Sequence, residues 1–286
     1  MRERFYQLAT EALWENDRVA VVLAAIGAGK IADHPRRFDV GIREQLMIGV
    51  AAGLALEGYR PIVHSYTPFL VERPYESLKL DLGHNDLGAV LVSYGASYDA
   101  STEGRTHQAP EDVAAVAALP GWTIEVPGHV AEMEWMLARA LTSDDRVYIR
   151  LTDETNAAPV DGDGLSVVRR GSDEAPFVVA VGPTLDPVRE ATADTGETVA
   201  YLATVRPFDG DGLRNALRGT DVVIVEPYLQ GTSAAEISAA LVDRPHRLLS
   251  LGVPLGEFRR YGTGAEHRAA HGLDARGIRA ALAAFR

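Results

Sequence analysis

Residues 41–61 read Gly-Ile-Arg-Glu-Gln-Leu-Met-Ile-Gly-Val-Ala-Ala-Gly-Leu-Ala-Leu-Glu-Gly-Tyr-Arg-Pro. A small, apolar run of this length that ends on glycine predicts a helix from about 42 to 57, with Gly58 as its C-cap. Gly49 and Gly53 each cost the helix about 1 kcal/mol relative to alanine. Such a face is tolerated where another backbone has to approach closely. The helix is followed by an apolar stretch at 61–65. It is preceded by 19–26, a continuous apolar run of the kind buried in a parallel sheet. Strand, helix, strand at this spacing is the unit of an α/β fold.

Working outward, the same alternation fills the chain. Phe5, Leu8, Ala12 and Leu13 lie at helical spacing within 4–15. Strands are expected at 89–93, 123–126 and 147–151, and helices at 75–82, 110–118 and 131–141. Pro110 and the acids after it suit the first turn of their helix. Residues 156–164 (Asn-Ala-Ala-Pro-Val-Asp-Gly-Asp-Gly) have no periodicity and read as a linker. Beyond them, strands at 177–181, 198–203, 221–226 and 248–251 alternate with helices near 185–193, 210–217, 232–242 and 274–285. The expected architecture is two doubly wound α/β domains, residues 1–158 and 159–286.

Composition narrows the function. The 28 basic and 40 acidic residues give a net charge of −12, which disfavours nucleic-acid binding. With no cysteine there can be no disulfide, thiolate metal site or cysteine nucleophile. The longest apolar run, 19–29, is too short to span a bilayer, and the charged N-terminus has no apolar signal region. A soluble, cytoplasmic protein is expected. Two Gly-Asp-Gly triplets, at 162–164 and 210–212, have the form of a metal–diphosphate motif, but neither is followed by a suitably spaced asparagine. They read as acidic turns, and no metal ligand is assigned to this chain.

The chemistry concentrates between Phe38 and Asp112. After 41–61 come Ser-Tyr-Thr-Pro-Phe-Leu (65–70) and Glu-Gly-Arg-Thr-His-Gln-Ala-Pro-Glu-Asp (103–112), then Pro127 and Glu132. In this order and spacing the sequence resembles the aminopyrimidine-binding (Pyr) domain of the transketolase superfamily of thiamine-diphosphate enzymes. The second half, with Thr-Val-Arg-Pro-Phe-Asp (204–209) and Val-Val-Ile-Val-Glu-Pro (222–227), is similar to the transketolase C-terminal domain. The diphosphate-binding domain of that family has no counterpart here. The resemblance therefore implies the C-terminal half of a split transketolase. An N-terminal partner subunit would hold the Mg²⁺ and diphosphate, and the assembly would be a homodimer or heterotetramer.

Carried onto this sequence, the resemblance implies roles residue by residue. Glu44 would hydrogen-bond the aminopyrimidine and promote the proton shift that activates the cofactor. Tyr66 and Phe69 match the aromatic pair that stacks on that ring, with Phe69 the better candidate. His107 matches a substrate-facing histidine, able to exchange a proton near neutral pH. Glu103 stands where an aspartate usually contacts a sugar hydroxyl. His129 falls where the family usually has aspartate, and reads as a surface or capping residue. The implied activity is transfer of a two-carbon ketol unit. The other readings are the beta subunit of a 2-oxo acid dehydrogenase decarboxylase component, disfavoured by His107-Gln108, and a non-catalytic homologue.

Departures from the pattern bear on substrate. Residues 92–102 contain no basic side chain, and Leu151-Thr152-Asp153-Glu154 is acidic where the family often shows arginine. Phosphate sites favour arginine forks, so only Arg105 and Arg150 remain as candidates. Ala25-Ile26-Gly27 closes the first strand where aspartate is usual. These features predict a substrate other than a simple sugar phosphate held by this subunit.

Overall fold

The computed structural model describes residues 1–286. In chain order the first unit runs α1 (Arg2–Glu15), β1 (Val19–Leu23), β2 (Arg37–Asp39), α2 (Glu44–Leu56), β3 (Arg60–Tyr66) and the short α3 (Tyr75–Ser77). It continues with β4 (Ala89–Tyr94), α4 (Asp112–Ala117), β5 (Trp122–Glu125), α5 (Val130–Ala140) and β6 (Arg146–Arg150). The second comprises β7 (Ser166–Arg169), β8 (Phe177–Val181), α6 (Leu185–Ala191), β9 (Thr198–Leu202), β10 (Thr204–Arg206) and α7 (Gly210–Ala216). It ends with β11 (Asp221–Leu229), α8 (Ala234–Ala240), β12 (Arg247–Val253), α9 (Gly264–Ala270) and α10 (Ala275–Phe285).

The strands form two sheets, ordered β10-β5-β6-β4-β3-β1-β2 and β12-β11-β8-β9-β7. Each is parallel except for one edge strand: β10 runs antiparallel to β5, and β7 antiparallel to β9. This is the α/β architecture expected from the alternation of elements. The central strands are buried along their whole length, with Val19–Leu23, Phe177–Val181 and Thr198–Leu202 covered on both faces, as parallel sheets require. β10 belongs in sequence to the second unit yet completes the sheet of the first. The apolar core is likewise shared, since one cluster holds Met47, Leu70 and Val113 together with Val179, Ile224 and Tyr228.

β1 stops at Leu23, three residues before the expected end, because Ala25 (φ 67°) and Gly27 (φ 82°) turn the chain out of the sheet. The Asp39 carboxylate at the end of β2 accepts from the backbone N–H of Ala25 (2.9 Å) and Gly41 (3.0 Å). The Gly-Asp-Gly triplets are structural: Gly210-Asp211-Gly212 opens α7, capped by Asp209, and Asp163 pairs with Arg139. His129 caps α5 by accepting from the Ala131 N–H. Glu132, fully buried, accepts from Gly128 N (2.7 Å), Tyr201 Oη (2.5 Å) and Val160 N (2.9 Å), and so ties the two units together. No helix is long and apolar enough to cross a membrane.

Helix α1 is fixed to β3 through His64. Its Nδ1 is 2.7 Å from Val92 O and its Nε2 3.3 Å from Tyr6 Oη, with the Phe5 ring 4.8 Å away. Burial disfavours the imidazolium and lowers the His64 pKa to about 4. In the unfolded chain it titrates near about 6.5. Between these values the unfolded state binds more protons, so stability rises with pH and is lost on acidification. Lowering the pH from 7.5 to 5 is expected to remove about 2 kcal/mol through this group. Urea denaturation at both pH values, for the wild type and His64→Phe, measures it; the difference between the two pH slopes is the readout.

Candidate active site

Ligands of open parallel sheets bind beyond the carboxyl ends of the strands, and the predicted residues meet there. Glu44 is the first residue of α2, where its charge faces the positive end of the helix. It is 2% exposed. Tyr66 closes β3 and Tyr94 closes β4. These two strands are in parallel register with Tyr66 opposite Tyr94, so their rings lie 5.3 Å apart. Gly95, at φ 80°, has no room for a side chain, because a Cβ there would come within 2.7 Å of the Tyr66 ring. After Tyr66 the chain enters a wide π-helical turn, Pro68–Glu72, which swings Phe69 back over the strand ends. Such turns recur at functional sites.

Four of the five predicted site residues converge. The Phe69 ring is 5.0 Å from His107 and 6.2 Å from Tyr66, and Tyr66 is 5.5 Å from His107, all edge-on. Glu44 closes the group through Arg73, a residue the sequence reading missed. Arg73 Nη1 donates to Glu44 Oε1 at 2.6 Å, while its guanidinium carbon lies 4.1 Å from the centre of the Phe69 ring. The slot between Glu44 and Phe69 thus already accepts a flat, hydrogen-bond-donating group.

Glu103 stays outside this cluster. It lies exposed in a short turn, Ser101–Glu103. Its connection to His107 runs through Thr106, whose hydroxyl donates to Glu103 O (3.4 Å) and shares a hydrogen bond with His107 Nδ1 (3.0 Å). The next residue, Gly104 (φ 73°), passes under Tyr261 of the C-terminal unit, and a Cβ there would meet that ring at 2.7 Å. The segment carrying His107 is therefore held from both units.

The far wall is acidic. Tyr94 Oη donates to Asp153 (2.9 Å), and the Arg2 guanidinium from the start of α1 stacks 3.9 Å above the Tyr94 ring. Asp99 accepts from Thr152 Oγ1 and from the Asp153 N–H, both at 3.0 Å. Burial first, then the neighbouring Asp153 charge, pushes the Asp99 carboxyl up to about 7. The two arginines left as phosphate candidates are committed elsewhere. Arg150 is fully buried, donating to Asp112 (2.7 Å) and Ser97 (2.6 Å). Arg105 donates to Gln108 O and Glu111, each at 2.7 Å. Arg2 and Arg73 had no local motif to reveal them, because packing alone brings them to the site.

The donor set fits the aminopyrimidine half of thiamine diphosphate: a buried carboxylate and an aromatic face are both within reach of a single planar group, the place Arg73 takes here. For the other half this chain offers no group of three His, Asp or Glu side chains able to hold a metal ion.

The sequence and the fold are similar to those of known proteins. Residues 7–157 match the family described as transketolase, pyrimidine-binding domain. The chain is 48% identical over 285 residues to an uncharacterized 33.6 kDa protein in the fasciation locus of Rhodococcoides fascians, covering 96% of this chain and 91% of that one. It is 31% identical to 1-deoxy-D-xylulose-5-phosphate synthase 1 of Geobacter sulfurreducens, over 95% of this chain but only 46% of that protein, so it spans about half the length of this relative. Among solved structures, a split-gene transketolase described as an inactive beta4 tetramer superposes with a TM-score of 0.81 at 23% identity, covering 99% of this chain and 96% of that one. The chain belongs to the transketolase family, and residues 7–157 are its pyrimidine-binding domain.

Proposed function

We propose that this chain is one subunit of a heteromeric, transketolase-like enzyme that depends on thiamine diphosphate and Mg²⁺ and transfers a two-carbon ketol unit between carbonyl compounds. Residues 1–158 form its Pyr domain and 159–286 its C-terminal domain. The observation that carries this reading is Glu44: a carboxylate at 2% exposure, aimed into a flat slot whose other wall is Phe69. Glu44 binds a ring N–H and can share its proton. Phe69 supplies the stacking face, and Tyr66 with Tyr94 walls the slot from water. His107, 5.0 Å from Phe69, donates to the oxygen of the reacting carbonyl. Thiamine diphosphate, when bound, supplies the electron sink for carbon–carbon bond cleavage.

A partner subunit brings the metal and the diphosphate site. Two observations support it. The chain corresponds to about half of the synthase relative and to nearly all of a split-gene transketolase chain. The side of α2 that carries Gly53 is also open, while Ala51 and Ala52 on its other side are packed in the core. Gly53 has nothing within 4 Å, and Ile42 (75%), Leu46 (46%) and Leu56 (70%) stand exposed along the same helix and its approach. A second backbone can pack there closely.

Three measurements test the reading. Titrated alone with thiamine diphosphate and Mg²⁺ in a calorimeter, the chain is expected to show no saturable binding at micromolar concentration; binding there would refute the need for a partner. In the reconstituted complex, Glu44→Gln is expected to slow exchange of the thiazolium proton into deuterated water by about 10²-fold or more, and an unchanged rate would remove Glu44 from the mechanism. Asp153 beside Tyr94, with Arg105 and Arg150 internally paired, disfavours a terminal phosphate. Matched ketoses with and without that phosphate are expected to differ little in kcat/KM, or to favour the unphosphorylated one. A hundredfold preference for the phosphorylated member would place a phosphate site in the complex.

A further inference from the structure

The slot between Glu44 and Phe69 is filled by a side chain of the protein itself. A ligand that stacks on Phe69 and donates to Glu44 has to lie between them, which is where the Arg73 guanidinium lies, 4.1 Å from the ring centre and 2.6 Å from Glu44 Oε1. The two cannot be present together. The backbone of Arg73 is fixed from both sides: its N–H donates to Pro68 O (3.0 Å), closing the π-helical turn, and its carbonyl accepts from Gln45 Nε2 (3.2 Å) of α2. Its side chain is 39% exposed and has open solvent to move into.

We propose that Arg73 is a placeholder for the aminopyrimidine, occupying its slot in the free chain and swinging out when the cofactor enters. The proposal rests on the thiamine-diphosphate reading above and adds a residue and a step to it. A buried carboxylate left without a partner is costly. Arg73 keeps Glu44 paired while the slot holds no ligand, by the same two interactions a planar, N–H-bearing ring makes: a hydrogen bond to the carboxylate and a stack on the aromatic face. While Arg73 stays in place, its Nη1 occupies Glu44 Oε1, so that oxygen is free for a ligand only after the arginine has left. The slot is consequently specific for ligands that can replace a guanidinium. It rejects flat rings that stack but have no donor for Glu44.

The test uses the full chain and 4-amino-2-methylpyrimidine as probe, followed by NMR. The Nε–H signal of Arg73, shifted by the Phe69 ring in the free chain, is expected to move to the position of a solvent-exposed arginine as the probe saturates. Arg73→Ala is expected to bind the probe about tenfold more tightly than the wild type, the factor by which a nine-to-one preference for the filled slot lowers apparent affinity. Arg73→Lys, which keeps a charge opposite Glu44 but cannot stack as a plane, should fall between the two, and it guards against a folding defect from leaving Glu44 unpaired. Wild-type binding that both variants leave unchanged or weaken overturns the placeholder while the half-site stands. If the wild type, both variants and Glu44→Gln all fail to bind, the half-site itself is refuted, and the placeholder with it.

Discussion

A carboxylate taken out of water must find a cation or several hydrogen-bond donors, and this constraint organises the molecule from the site outward. Glu44 meets it with Arg73, and the pair holds the start of α2 against the π-helical turn after β3. Asp112 meets it with Arg150 and Tyr148, deep beneath the segment that carries His107. Glu132 meets it with donors from both units, and Glu226 with the backbone N–H of Gly231 and Ser233 and the hydroxyl of Ser250. Apolar burial makes the two sheets. These paired acids set how their loops face one another.

The strands were legible where physics leaves one reading. A run such as Phe177–Val181, apolar on both faces, can only lie inside a parallel sheet, and the structure places it there. The strands without a sequence signal are the edges: β2, β7 and β10, three or four residues long and mostly half-exposed, so no apolar run marks them. Helix α9 was missed for a similar reason. Its polar stretch buries only His267, which stacks on Tyr98 from the other unit at 4.5 Å. At the site, Glu44, Tyr66, Phe69 and His107 stood in ordered motifs. Tyr94 is brought to the site by the β3–β4 register, and Arg2 and Arg73 by packing across the fold. Register and long-range packing are set by the sum of many contacts, which no short window of sequence displays.

Charge tells the same story at the substrate end. The absence of basic residues at 92–102 was visible in the sequence. The structure adds that Asp99 and Asp153 are hydrogen-bonded into the wall beside Tyr94, so that the acidic character belongs to the framework. It also shows that Arg2, beside that wall, lies over the Tyr94 ring.

Strand β10 has a consequence for how the protein can be taken apart. A fragment ending after Pro159 would keep every strand of the first sheet but this one, and β5 would become an open edge lined with unpaired backbone groups. Edges of that kind recruit strands from other molecules. The pyrimidine-binding half is therefore a poor candidate for expression on its own, and an evolutionary shuffling of these units would have to move the three residues Thr204–Arg206 with the wrong half of the gene.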